Sequence, residues 1–114
     1  MRIYHNPRCS KSRGTLALLE DNGVTPDIIH YLDTPPTRDE LVALLAKLGM
    51  QPSELVRRGE AICKSEYADR DMSEDDWLDA MLTHPVLIER PIVVAGERAV
   101  IGRPPEKVLE LLGD

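Results

Sequence analysis

The opening stretch of the chain constrains the fold more than any other. Arg2-Ile3-Tyr4-His5 alternates weakly and runs into the turn Asn6-Pro7-Arg8, which reads as a short strand. Ser10 to Asn22 carries Leu16, Ala17, Leu18 and Leu19 and is followed by Gly23, a residue suited to a left-handed helix cap. Asp27-Ile28-Ile29-His30-Tyr31-Leu32 offers β-branched and aromatic residues between Thr25-Pro26 and Thr34-Pro35-Pro36, so a second strand follows. A strand, a helix and a strand within about thirty residues form a βαβ unit, with parallel strands and a right-handed crossover.

Beyond it, Thr37-Arg38-Asp39-Glu40 is a capping box, and Leu41, Leu44, Leu45 and Leu48 repeat at helical spacing up to Gly49. Pro52 to Arg58 reads as one short helix with Leu55 and Val56 inward, and Gly59 to Met72 as short helical turns. Ser73-Glu74-Asp75-Asp76 opens a helix with an inner face of Trp77, Ala80, Met81 and His84, which must stop before Pro85. Pro91-Ile92-Val93-Val94 and Arg98-Ala99-Val100-Ile101 read as antiparallel strands joined by Ala95-Gly96-Glu97. Gly102-Arg103-Pro104-Pro105 ends this hairpin, and Glu106 to Leu112 is expected to close as a helix burying Val108, Leu109, Leu111 and Leu112. The fold class is therefore α/β: a small four-stranded mixed sheet, βαβ then ββα, with a helical insertion over about 37–85 between its halves.

At 114 residues the chain is expected to form a single domain, 1–114, without a linker. With no Phe, its core must be built from Leu, Ile, Val, Met and Ala. No segment approaches membrane-spanning length, and the N-terminus lacks the features of a secretory signal, so the cytoplasm is the expected compartment. Cys9 and Cys63 lie too far apart in sequence for a disulfide framework or zinc pattern, and His5, His30 and His84 are scattered, so no metal is expected. A net charge of −6 argues against nucleic acid as a partner. An anion site would have to be local, built from a few arginines. No long apolar face remains after the core is assigned, and a monomer is expected.

Cys9 is the nucleophile candidate. It stands where unpaired N–H groups of a helix start favour a thiolate, with Arg8, Lys11 and Arg13 nearby, and Pro7 restricts the loop. Cys63, among mixed charges, reads instead as a buried small hydrophobe. Ser12 stands where a dithiol oxidoreductase would carry its second cysteine, so Cys9 has no local partner and external thiols must complete any redox cycle. Trp77 and His84 read as core or helix-end residues, and Lys11 and Arg13 as surface charges.

Tyr4-His5-Asn6-Pro7-Arg8-Cys9-Ser10-Lys11-Ser12-Arg13, Glu89-Arg90-Pro91-Ile92-Val93-Val94 and Ile101-Gly102-Arg103-Pro104 together resemble the glutaredoxin-coupled arsenate reductase (ArsC) family, in a shorter branch with a thioredoxin-like fold. The resemblance covers essentially the whole chain. It implies that Cys9 attacks arsenate, that Arg57, Arg90 and Arg103 hold the oxyanion, that His5 influences the thiol and that Pro91 is a cis-proline facing the cysteine loop. Arginine suits that role because its planar fork meets two oxyanion oxygens at once. No bound cofactor is implied; glutathione is the thiol co-substrate, and glutaredoxin resolves the cysteine–glutathione mixed disulfide. Departures from the better-studied members are expected in the absence of a longer C-terminal tail, in Arg8, where the family can carry a small residue, and in Gly102, where it can carry a cysteine.

Rival readings are testable on the same residues. A thiolate phosphatase needs an arginine six positions after its cysteine, and Thr15 stands there. A redox-sensing regulator of this fold would use C-x-x-C, which Ser12 denies. A thiol-exchange protein would keep Cys9 without needing all three arginines.

Overall fold

The computed structural model describes residues 1–112. They form two compact units, one of Met1–Thr34 together with the chain from Arg90 onward, the other of Pro35–Glu89.

The first unit is built on a four-stranded sheet in the order β2-β1-β3-β4. Strand β1 is Arg2–Tyr4, β2 Asp27–Ile29, β3 Ile92–Ala95 and β4 Arg98–Ile101. β1 runs parallel to β2 and antiparallel to β3, so Ile3 stands opposite both Ile28 and Val93. The hairpin pairs Ala95 with Arg98 across a two-residue loop whose first residue, Gly96, has φ 61°. Two-residue hairpins require such a positive φ, which glycine adopts without a Cβ penalty. This is the mixed sheet expected from the sequence, with β2 cut short at Ile29.

Helix α1, Ser10–Asp21, connects β1 to β2. Leu19 lies in a core with Ile3, Val93 and Val108, and Leu16 and Leu18 pack on its margin. The C-terminal segment departs from expectation. Pro105–Leu111 is a 3-10 helix, not an α-helix, and Leu109 is exposed at 41%. Three residues per turn align Pro105, Val108 and Leu111 on one face. Pro105 meets Gly14 of α1, where an added Cβ would sit 3.4 Å from the proline Cγ, and Val108 is fully buried. Leu109 belongs to the other face, so a period of 3.6 assigned it wrongly.

The second unit is helical. Its helices are α2 Arg38–Leu48, α3 Pro52–Leu55, α4 Ala61–Glu66 and α5 Glu74–Thr83, followed by a 3-10 turn at Pro85–Leu87. α2 has the full capping box: Thr37 Oγ1 accepts from the Glu40 N–H and Glu40 Oε1 accepts from the Thr37 N–H. It ends at Gly49, φ 68°. Ser73 and Asp76 cap α5 in the same reciprocal way. Leu41, Leu44, Leu45, Leu55, Trp77, Leu78, Met81 and Leu87 are buried. His84 is the C-cap of α5, half-buried, and the fourth buried position of that helix is Leu78.

A second correction concerns the stretch after Pro52. α3 stops at Leu55, and Val56 is extended, bridging Ile88 in antiparallel fashion. Arg57 therefore follows an extended residue outside the helix, its N–H donating to the Leu87 carbonyl at 2.7 Å.

Candidate active site

The first unit brings Cys9, His5, Arg90, Pro91 and Arg103 into one hydrogen-bonded constellation. Cys9 is the N-cap of α1, with extended φ −94° and ψ 123°. Its N–H donates to the Asn6 carbonyl at 3.0 Å, and its carbonyl accepts from the Arg13 N–H at 3.0 Å. The loop before it is tied down twice more. Asn6 Oδ1 accepts from the Arg8 N–H at 3.0 Å, and Arg13 Nη1 donates to the Pro7 carbonyl at 2.9 Å. Arg13, expected as a surface charge, is thus also a clamp on the cysteine loop.

Arg103 donates from Nη2 to Cys9 Sγ at 3.3 Å and from Nε to the Arg90 carbonyl at 2.8 Å. One guanidinium therefore spans the backbone at Arg90 and the sulfur. Burial raises the Cys9 thiol pKa, but it is outweighed by the N–H groups of Ser12 and Lys11, a hydrogen bond from Arg90 and the charge of Arg103. The net shift is downward from 9.0, so the thiolate is favoured. The first-turn N–H groups act here as the helix-start donors expected from the sequence.

The Arg90–Pro91 peptide bond is cis, as is Arg103–Pro104. Pro91 is fully buried, and its carbonyl accepts from the Gly102 N–H at 2.9 Å. Gly102 is closely hemmed in. A Cβ there would lie 2.9 Å from Pro91 Cγ and closer still to Thr15 Oγ1, so any side chain at 102 requires Thr15 to turn. Thr15 Oγ1 donates to the Lys11 carbonyl at 2.8 Å and reaches the Gly102 carbonyl at 3.4 Å.

His5 does not touch the sulfur in this arrangement; its Nδ1 shares a 2.6 Å hydrogen bond with Ser12 Oγ. Ser12 is fully buried and its Oγ also accepts from the Asn6 N–H at 3.0 Å. The His5 pKa is lowered from 6.5 by burial, then by repulsion from His30 and Arg13. A neutral ring accepts from the Ser12 hydroxyl, leaving the hydroxyl oxygen for Asn6. The sequence treated Ser12 as an absent cysteine and Thr15 as an absent arginine. Both are buried side chains that join α1 to the loops around it. A serine or threonine on the inner face of a helix was the available signal.

Arg57 lies in the second unit, where Nη1 donates to Glu89 Oε1 at 2.6 Å and Nε stands 3.8 Å from Glu60 Oε1. Cys63, also in that unit, is a buried free thiol. Among the described residues, no three His, Cys, Asp or Glu side chains group as metal ligands, and no helix is long and apolar enough to cross a membrane.

The family model described as the ArsC family matches residues 4–111. The chain is 48% identical over 113 residues to an arsenate reductase of Escherichia coli (strain K12), covering 98% of this chain and 80% of that one. It is 52% identical over 115 residues to the uncharacterized protein YfgD of the same strain, covering 99% and 97%. Among solved structures it is similar to the arsenate reductase from Vibrio cholerae, with a TM-score of 0.91 and 49% identity over 96% of this chain and 95% of that one. With residues 4–111 matched by the family model and relatives nearly half identical along almost its whole length, the chain belongs to the ArsC family.

Proposed function

We propose that this protein is an arsenate reductase in which Cys9 is the nucleophile and Arg90 and Arg103 hold the oxyanion. The observation that carries the reading is the Arg103 guanidinium 3.3 Å from Cys9 Sγ, on a thiol whose pKa is lowered. A thiolate beside fixed cationic forks suits attack on a tetrahedral oxyanion. The family's named arsenate reductases at this level of identity point the same way.

In the proposed cycle the Cys9 thiolate bonds to arsenic(V), and one arsenate oxygen leaves as water after taking up protons. Glutathione then attacks the Cys9 sulfur. As the new S–S bond forms, the S–As bond breaks and its electron pair stays on arsenic, which departs as arsenite. Cys9 is left as a mixed disulfide with glutathione, and glutaredoxin restores it by thiol exchange. Ser12 at the position three after Cys9 means that no local thiol competes with glutathione for that disulfide. His5 is assigned a positioning role through Ser12. Arg57 is assigned to the oxyanion by the family resemblance, with Glu89 and Glu60 as its partners within its own unit. The protein is read as a monomer that works where reduced glutathione is abundant, the cytoplasm.

The test separates a reductase from a thiol-exchange protein. Arg103→Ala and Arg90→Ala should each lower arsenate kcat/KM roughly 10- to 100-fold, the span of a lost charge-assisted hydrogen bond. Cys9 should still be alkylated in both, with its pH midpoint moved up because a lowering influence has gone. Unchanged arsenate turnover in both variants would contradict the assignment.

A further inference from the structure

The second unit contains a cavity that the arsenate chemistry leaves unused. It has a volume of about 260 Å³ and is lined by Arg58, Cys63, Lys64, Tyr67, Arg70 and Trp77. Three of these are cations and none is a carboxylate, in a chain of net charge −6. Among the described residues, none of Arg58, Lys64 and Arg70 is in an ion pair.

The aromatic residues hold the cations in place. The Arg58 guanidinium carbon lies 4.5 Å from the centre of the Trp77 ring and that of Arg70 5.5 Å from the Tyr67 ring. Trp77 is buried on α5, and Tyr67, the C-cap of α4, sits 6.0 Å from it and 6.1 Å from His84. Stacking on a ring face fixes the plane of a guanidinium and leaves its N–H groups at the edge, directed away from the ring. Arg58 uses one of them on the Ser53 carbonyl at 3.3 Å; the rest are available to acceptors. Lys64, exposed and on the same helix as Cys63, adds an ammonium to the lining.

We propose that this cavity binds a small organic dianion, carrying either two carboxylates or one phosphate on a short carbon frame. Charge sets the class: two planar forks and an ammonium face one space with no counter-ion of the chain's own. Size sets the limit, since the volume lies just below the usual range of drug-sized ligand sites and admits only a small molecule. The buried Cys63 and the aromatic wall supply the apolar floor against which the carbon frame lies. The site goes beyond the reductase reading and does not rest on it.

Trp77 is the chain's single tryptophan, which makes its fluorescence a reporter of this cavity alone. The full chain is titrated with succinate and, separately, with glycerol phosphate, against sodium chloride and sodium acetate at equal ionic strength. A saturable change with at least one dianion and none with the monoanions is expected, and the responding dianion tells paired carboxylates from phosphate. Arg58→Gln/Arg70→Gln should weaken that binding at least about tenfold by calorimetry, as loss of charge-assisted hydrogen bonds implies, and Lys64→Gln by less. Arg103→Gln should leave it unchanged. A response that only tracks ionic strength, equal affinity in the Lys64→Gln and double variants and the parent, or tenfold loss in Arg103→Gln would each overturn the proposal.

Discussion

Cys9 and His5 are shifted by opposite uses of the same surroundings. Burial works against ionisation of both, but Cys9 receives N–H groups and two guanidinium groups that favour its anion, whereas His5 meets only further positive charge. The folded chain therefore keeps His5 neutral, bonded through Nδ1 to Ser12. Unfolding frees the ring to bind a proton at its ordinary pKa of 6.5, so the unfolded state takes up more protons below that value. This contribution to stability is present above pH 6.5 and is lost as pH falls toward the lower folded pKa. Urea midpoints measured across that window should decline with falling pH in the parent and decline less in His5→Gln; equal slopes would contradict a neutral, buried His5. The lowered thiol pKa of Cys9 was legible because its leading causes lie in local sequence: a cysteine, a proline turn and a helix start. Ser12 and Thr15 were not, because a polar side chain on the inner face of a helix reveals its partners only when Asn6, His5 and Gly102 have been brought to it.

At the level of elements, sequence served best where a local device fixes the boundary. The Thr37–Glu40 box and Gly49 at φ 68° bracket α2 because each satisfies backbone groups that the helix itself cannot. Thr37→Ala should cost about 1 kcal/mol in urea denaturation, and Gly49→Ala about as much through a strained left-handed backbone. A change near zero in both would mean that packing of Leu41, Leu44 and Leu45, not capping, sets this helix. Boundaries set by tertiary contacts were harder to read. Val56 leaves α3 to bridge Ile88, and Pro105, Val108 and Leu111 adopt a three-residue period, with Pro105 against Gly14. Neither partner is near in sequence, so periodicity alone extended one helix and, in the other, placed Leu109 on the buried face beside Val108 and Leu111.

Over the whole chain, two short motifs distant in sequence meet in the first unit because β3 lies beside β1, and the hairpin to β4 then carries Arg103 back beside Cys9. Sheet order is what brings Arg90, Pro91 and Arg103, separate in the sequence, into the oxyanion site we propose beside Cys9. The mixed sheet could be inferred from the βαβ and hairpin patterns, but the 3.3 Å contact with sulfur could not, since it depends on the close fit of Gly102 between Thr15 and Pro91. The proposed anion site is compatible with an acidic chain, because a few guanidinium groups and helix N–H groups act at hydrogen-bond range, where net charge matters little. The most direct test of the account is arsenate-dependent NADPH oxidation with glutathione, glutaredoxin and glutathione reductase, run on the parent and on Cys9→Ser. The account predicts turnover in the parent that disappears in Cys9→Ser. No arsenate-dependent oxidation in the parent, with Cys9 still rapidly alkylated, would contradict it and leave a reactive thiol serving another substrate.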